Sequence, residues 1–262
     1  MKKFTAVMIV LVLCLASVFA SAATETADSS DKAYVQGKGK LIVGITDFAP
    51  MDYMENGKWI GFDADMANAF AKYLGVDCEF IEIDWDSKTM ELSNKTIDVV
   101  WNGMTLTDAV KAAMETSNAY CNNAQIIVVK KSLASSIKAA ADAKNLQFAV
   151  ESGSAGEDAA KENGYKYLAV GTQQDAVMEV AAGTSQACII DSLMAAAMVG
   201  EGTSYPDLTY TIGLTEEQYG AGFRKGSDLA AELNKFFKQS WEDGSMMKIA
   251  EKYGTQASVI AQ

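Results

Sequence analysis

The sequence contains no histidine and one arginine, Arg224. The first absence removes Ser-His and Cys-His catalysis and the usual zinc ligand sets. The second leaves a bound anion to lysines, hydroxyls or backbone N–H groups. Positive charge is scarce throughout: 22 lysines and arginines face 34 acids, for a net charge of −12. Nucleic-acid binding needs a basic face and is not expected. Cysteine is also sparse, with four in the chain, and none has metal-ligand spacing. Neither a structural metal nor a cofactor is expected. No repeat of roughly 20–50 residues is present.

The chain opens as a secretion signal does. Lys2 and Lys3 precede an apolar run over residues 6–18, and Ala20-Ser21-Ala22 offers a small-residue cleavage site. The run is short for a membrane span, so residues 1–22 read as a signal peptide cleaved after Ala22. Loss of its two lysines takes the charge from −12 to −14. Cys14 follows Leu13, whereas lipoprotein processing prefers a small residue there; a lipid anchor at Cys14 is the alternative. Cys78, Cys121 and Cys188 then remain, and three thiols cannot all pair internally. Cys78 and Cys188 lie in apolar runs and read as buried small hydrophobes.

Residues 23–39 are polar and small, the composition of a flexible tether. Beyond them strands and helices alternate. Strand patterns fall at 41–44, 76–83, 99–101, 125–130, 146–150, 167–170, 187–190 and 208–212. Helical patterns fall around Met66, Phe70, Tyr73 and Leu74, then at 132–144, 173–182, 229–243 and 246–253. Asn56-Gly57 is a hairpin-type turn. The fold class is therefore α/β, in which ligands bind beyond the carboxyl ends of the strands.

Candidate site residues follow from that rule. The strand ending at Val99–Val100–Trp101 breaks at Asn102-Gly103 and continues through Met104 and Thr105 into a helical run. Asp47 and Phe48 follow the first strand, and Trp85 follows the strand at 76–83. Gly153, Ser154 and Ala155 lead into a helix, whose first N–H groups suit an anion; Ser154 as an ordinary N-cap is the plainer reading. Asp191 ends an apolar strand, as a ligand acid or as the next helix's cap. The candidate acids are Asp47, Glu151 and Asp191, and the candidate aromatics are Phe48, Trp85, Trp101 and Tyr120. Asp63 and Asp65 read as helix-start acids that favour the dipole.

Several stretches together resemble a known family. Asp98-Val99, Gly103-Met104-Thr105 and Thr107 match D-V-x-x-x-G-M-T-x-T. Gly61-Phe62-Asp63-Ala64-Asp65-Met66-Ala67 matches G-F-D-x-D-x-A. Trp85-Asp86 matches a W-D pair, Ser152-Gly153-Ser154 resembles S-G-T, and Tyr219-Gly220 with Arg224-Lys225-Gly226 matches Y-G-x-x-x-R-K-G. These resemble the polar amino-acid-binding proteins of ABC transporters, the periplasmic-binding protein type II fold, over residues 40–253. The resemblance implies two lobes joined by two crossover segments, with lobe I at 40–126 and 214–262 and lobe II at 127–213. It implies 125–130 and 208–223 as the crossing regions. It implies that Phe48 stacks on the ligand and that Asp191 accepts the ligand's ammonium. The family's carboxylate-gripping arginine is replaced by Val110.

The implied function is an extracytoplasmic solute-binding protein. It captures a small polar ligand, an amino acid or close relative, and delivers it to an ABC transporter permease. The protein is expected as a monomer, secreted across the cytoplasmic membrane to the periplasm or the outer face. Because Val110 stands at the clamp position, a binder of amines or other cationic solutes is an open alternative. A dehydratase on the same fold, with Glu151 or Asp47 as general acid, is a second. A ligand-sensing module of a receptor is a third.

Overall fold

A computed structural model describes residues 30–262; the expected signal peptide, Cys14 and residues 23–29 of the expected tether lie outside the described residues. The first element corrects the tether reading. Asp31–Lys38 is a helix, α1, capped by the Ser30 hydroxyl at one end and by left-handed Gly39 at the other. It is docked by charge: Arg224 Nε donates to both Asp31 oxygens at 3.1 and 3.0 Å, and Lys32 pairs with Glu232 at 2.7 Å. Composition alone could not show those partners, which lie some 190 residues away along the chain.

Lys40–Ile45 is β1. Tyr53–Glu55 and Lys58–Ile60, β2 and β3, pair as a hairpin with Glu55 opposite Lys58. Its loop residues Asn56 and Gly57 have φ of 50° and 75°, as a two-residue turn of this hand requires. Phe62–Leu74 (α2), Asp77–Glu82 (β4), Lys88–Ser93 (α3), Val99–Val100 (β5), Asp108–Ala113 (α4) and Glu115–Thr116 (β6) follow. Next come Cys121–Asn123 (β7), Gln125–Lys130 (β8), Lys131–Ala134 (α5), Gln147–Glu151 (β9), Ala155–Glu162 (α6), Lys166–Val170 (β10) and Gln173–Ala182 (α7). The chain ends with Ala187–Asp191 (β11), Ser192–Met198 (α8), Leu208–Gly213 (β12), Glu217–Tyr219 (β13), Gly222–Phe223 (β14), Leu229–Glu242 (α9) and Ser245–Tyr253 (α10).

Two five-stranded sheets form the two lobes. The first has the order β4-β1-β5-β14-β6, parallel except for antiparallel β14 and its pairing with β6. The second has the order β10-β9-β11-β8-β12, with β8 antiparallel to both its neighbours. The central strands are buried on both faces, which is why β8 (QIIVVK) and β11 (ACIID) read as unbroken apolar runs. In α9 the buried Leu229, Ala230, Leu233, Phe236, Phe237 and Ser240 lie on one stripe of a 3.6-residue helix. Phe236 meets Phe70 of α2, and Phe237 meets Trp101 and Tyr120. Trp101 and Tyr120, named above as cleft aromatics, are thus fully buried core.

The first crossing lies earlier than expected, and the return crossing lies within the expected 208–223. Gln125–Lys130 belongs to the second sheet, and β12 does too. The chain crosses through β7 and β13, which pair antiparallel with Cys121 opposite Tyr219 and Asn123 opposite Glu217. The expected boundary at 126/127 therefore falls inside β8. The helix expected over 132–144 is reduced to α5 and a 3₁₀ turn at Ala140–Ala143. The Ser136 hydroxyl bonds back to the Leu133 carbonyl, and the Asp142 carboxylate accepts from the N–H groups of Lys138 and Ala139. Such local bonds compete with a helical ladder. Among the described residues, no helix is long and apolar enough to cross a membrane.

Candidate ligand-binding site

A cleft of about 250 Å³ lies between the lobes. Its lobe I wall is the Asn102–Thr105 loop, α4 and the Trp85–Thr89 segment; its lobe II wall is the carboxyl ends of β9 and β11, the amino end of antiparallel β8 and the starts of α6 and α7. Of the residues singled out from sequence, Trp85, Asn102, Gly103, Met104, Thr105, Val110, Gly153, Ser154, Ala155 and Asp191 all line it. Asp47 and Phe48 do not. A tight turn explains this. Phe48 N–H donates to the Asp52 carbonyl at 2.6 Å and Asp52 N–H returns the bond to Phe48 O at 2.9 Å. The Phe48 ring is driven beneath Gly103 and against Tyr219, 2 % exposed. A Cβ on Gly103 would lie 2.3 Å from that ring, and Gly103 has φ of 56°, so this position accepts only glycine without rearrangement.

The Asn102–Thr105 loop is braced from behind. The Asn102 side chain accepts from Thr46 N–H at 2.9 Å and donates to the Thr46 hydroxyl at 2.8 Å, tying the ends of β5 and β1 together. Asp63 is more than a helix-start acid. Its Oδ2 accepts from Gly103 N–H and from the Tyr120 hydroxyl, both at 2.7 Å. Burial pushes this carboxyl up to about 7, against the pull of those two bonds. Asp65 points outward to Lys252 and Tyr253. The Thr105 hydroxyl donates to Glu217 Oε1 at 2.8 Å, joining the loop to the return crossing strand.

Lobe II presents acceptors. Asp191 Oδ1 accepts from the side-chain amides of Asn123 and, at 2.6 Å, Gln125; Oδ2 accepts from Gln173. The carboxylate makes no cap bond to α8, so the helix-cap reading is set aside. Burial, and next the charge of Glu217, push the Asp191 carboxyl up to about 8. Burial and the neighbouring Asp191 push Glu151 up to about 8 as well, with Lys88 pulling the other way. Glu151 Oε1 and Gln125 Oε1 are buried acceptors without a protein donor. Ser154 is used locally: its hydroxyl accepts from Glu157 N–H at 3.1 Å and donates to Glu151 O at 2.8 Å. The capping reading of Ser154 accounts for both bonds.

Among the lining residues missed from sequence as cleft contacts are Lys88, Thr89, Gln125 and Gln173. Glu151, named from sequence among the candidate acids, lines the cleft. A glutamine carries no motif, and Gln125 and Gln173 reach the cleft from the first residues of β8 and α7. Lys88 had a signal, since it lies one helical turn after Trp85. At the mouth the lobes touch. Lys88 Nζ donates to Gly153 O at 3.0 Å, and the Ser152 hydroxyl reaches Asp86 Oδ2 at 3.4 Å. Arg224 lies far from the cleft, bonded to Asp31, Asp98 and the Ile97 carbonyl.

A cleft floored by strand ends, between sheets joined by paired crossing strands, suits capture of a small solute rather than a macromolecule. The comparisons agree. The chain is 31% identical to the arginine-binding extracellular protein ArtP of Bacillus subtilis over 233 residues, covering 87% of this chain and 91% of the relative. It is 28% identical to the L-cystine-binding protein TcyJ of Escherichia coli, covering 84% of each. Among solved structures it is similar to an ancestral amino acid-binding protein, AncCDT-1, described as a precursor of cyclohexadienyl dehydratase, with 33% identity and a TM-score of 0.78; 86% of this chain and 99% of that one are covered. The model of the bacterial extracellular solute-binding proteins, family 3, matches residues 41–256, and the chain belongs to that family.

Proposed function

We propose that the protein binds an α-amino acid in the interlobe cleft and delivers it to an ABC transporter permease outside the cytoplasmic membrane. The observation that carries the reading is the convergence of Asp191, Glu151 and Gln125, all acceptors, at the ends of three neighbouring strands. Such a set takes the ammonium group. The ligand's carboxylate faces Ala155, the first residue of α6, whose N–H has no intrahelical partner. The named relatives bind arginine and cystine, whose side chains differ; the α-amino and α-carboxyl groups are what those ligands share. An amine binder and a dehydratase are not favoured, since these relatives are named as amino-acid-binding proteins. The fuller assignment is a monomer released by cleavage after Ala22.

Native mass spectrometry of protein purified without refolding, followed by calorimetry with an amino-acid panel, tests this. A retained mass equal to an amino acid, and a heat of binding for that amino acid, are expected. Retention of an amine, with no heat from any α-amino acid, would overturn the reading. Conversion of the retained compound over hours would instead support the dehydratase.

A further inference from the structure

Of the described residues that line the cleft, Lys88 alone carries a positive charge. Its ammonium lies 4.7 Å from the centroid of the Trp85 ring, on the aromatic face that a ligand cation would otherwise take. Two of its three N–H groups are accounted for. One goes to Trp85 O at 2.9 Å in lobe I, the other to Gly153 O at 3.0 Å in lobe II. The third is left for a ligand acceptor. Burial is the largest influence on this amine and lowers its pKa from the usual lysine value, while Glu151, then Asp86 and Asp158, offset part of that fall.

We infer that Lys88 sets the charge selectivity of the cleft: it admits an amino acid whose side chain carries a carboxylate or carboxamide oxygen, and it excludes one whose side chain is cationic. The inference rests on the amino-acid reading given above and narrows it. A guanidinium or ammonium entering the Trp85 end would meet a like charge on a face already occupied, within a cleft shielded from water. An oxygen acceptor at the same point completes the lysine's third bond. The arginine-binding relative and this chain then share a scaffold while differing in the charge they accept.

The experiment is calorimetry of the parent protein, Lys88→Met and Lys88→Arg with aspartate, glutamate, asparagine, glutamine, lysine and arginine. The parent should bind at least one acidic or amide amino acid about tenfold or more tighter than arginine. Lys88→Met should shrink that ratio by about tenfold or more, and Lys88→Arg should preserve the order. The ratio is the readout because loss of the Gly153 bond alone weakens closure on every ligand equally. A uniform loss of affinity in Lys88→Met, with the ratio unmoved, would reduce Lys88 to a lobe fastener and overturn the inference. So would a parent protein that binds arginine or lysine best, whether or not the methionine variant folds; that outcome leaves the amino-acid reading standing. Failure of every α-amino acid to bind the parent overturns both.

Discussion

Asp191 and Glu217 accept hydrogen bonds from the same two side-chain amides, those of Asn123 and Gln125. Asp191 ends a strand of lobe II, whereas Glu217 and Asn123 sit on the two crossing strands. Glu217 also takes the Thr105 hydroxyl of lobe I. The acid proposed to take the ligand's ammonium is therefore linked to the crossing strands and to the opposite wall. Like charges so close resist joint ionisation, which is why Glu217 raises Asp191. A ligand ammonium relieves that repulsion. Asp191→Asn removes the charge while leaving α8 uncapped by a side chain, as it already is. Affinity should fall by about 1.5–3 kcal/mol, roughly 10- to 150-fold by calorimetry. The ligand-free melting temperature should not drop by more than a few degrees, because Asn keeps the size of the side chain and the neutral form that burial already favours. Parent-like affinity would take Asp191 out of the contact set.

The buried acids also predict how stability follows pH. Burial pushes Glu151 and Asp191 up to about 8 and Asp63 up to about 7, and raises Asp52 well above the carboxylate range, with Asp63 adding to the last. The folded state thus holds protons that the unfolded chain releases. Their contribution is complete below the unfolded pKa of about 4 and is lost as pH rises through 7 to 8. Asp142, Glu232 and Asp243 are shifted the other way, first of all by hydrogen bonds from Lys138 N–H, Lys235 and Ser245, and weaken the fold only in stronger acid. The ligand-free melting temperature should climb as pH is lowered from about 8 to 5, then fall below about 4. Both Asp52 oxygens lack a donor, as does Asp63 Oδ1. Asp52→Asn offers an amide N–H to Asp63 and should raise the melting temperature at pH 8. It should also flatten the slope by up to about 1.4 kcal/mol per pH unit. An unchanged slope would show that Asp52 is not a proton-holding site.

Much of this site could be read from the sequence because its loops are local. Val99–Val100 followed by Asn102-Gly103 and a helical run marks a strand end at a crevice, and the Asn102–Thr105 loop lines the cleft. Asn56-Gly57 named its hairpin because left-handed φ at both residues is a local demand. The apolar runs of β8 and β11 named central strands but not which lobe β8 joins, since a buried strand looks the same in either. Asp47 and Phe48 misled because the turn closed between Phe48 and Asp52 faces the ring inward. The long-range partners of Lys88 and Glu217 were illegible for a different reason. Their roles depend on Gly153, 65 residues from Lys88, and on Asn123, 94 residues from Glu217, distances over which no local pattern operates.

Gly153 offers a test of lobe closure. It has φ of 69°, and a Cβ there would lie 2.7 Å from Asp86 Cα across the cleft mouth. Gly153→Ala therefore carries a local backbone strain of about 1 kcal/mol and, separately, a steric block that exists only when the lobes touch. Ligand-free stability should fall by about that strain. Affinity should fall further, by about tenfold or more, and small-angle scattering should show less compaction at saturating ligand than the parent shows. Equal compaction and equal affinity would mean that the mouth contact plays no part in binding.

Val110 is the position at which a charge can be restored. It lines the cleft from α4, its N–H held by the Thr107 hydroxyl at 3.1 Å, and its side chain packs beside the cluster of Trp85, Met104 and Met114. The helix start is thus fixed while the side chain is half-buried, so a longer residue can extend into the cleft without unseating the backbone. Val110→Arg forfeits about 1 kcal/mol or less of apolar burial. In exchange it offers a guanidinium fork to a carboxylate, a geometry that no residue of the present cleft supplies. A ligand with a free α-carboxylate should bind about 1.5–3 kcal/mol tighter, roughly 10- to 150-fold by calorimetry. The decarboxylated amine of the same side chain should gain nothing, and added salt should shrink the advantage of the amino acid only modestly, because the pair forms out of water. If amino acid and amine respond alike, the side chain at 110 does not face the carboxylate, and the α6 N-terminus and the Asn102–Thr105 loop hold that group by themselves.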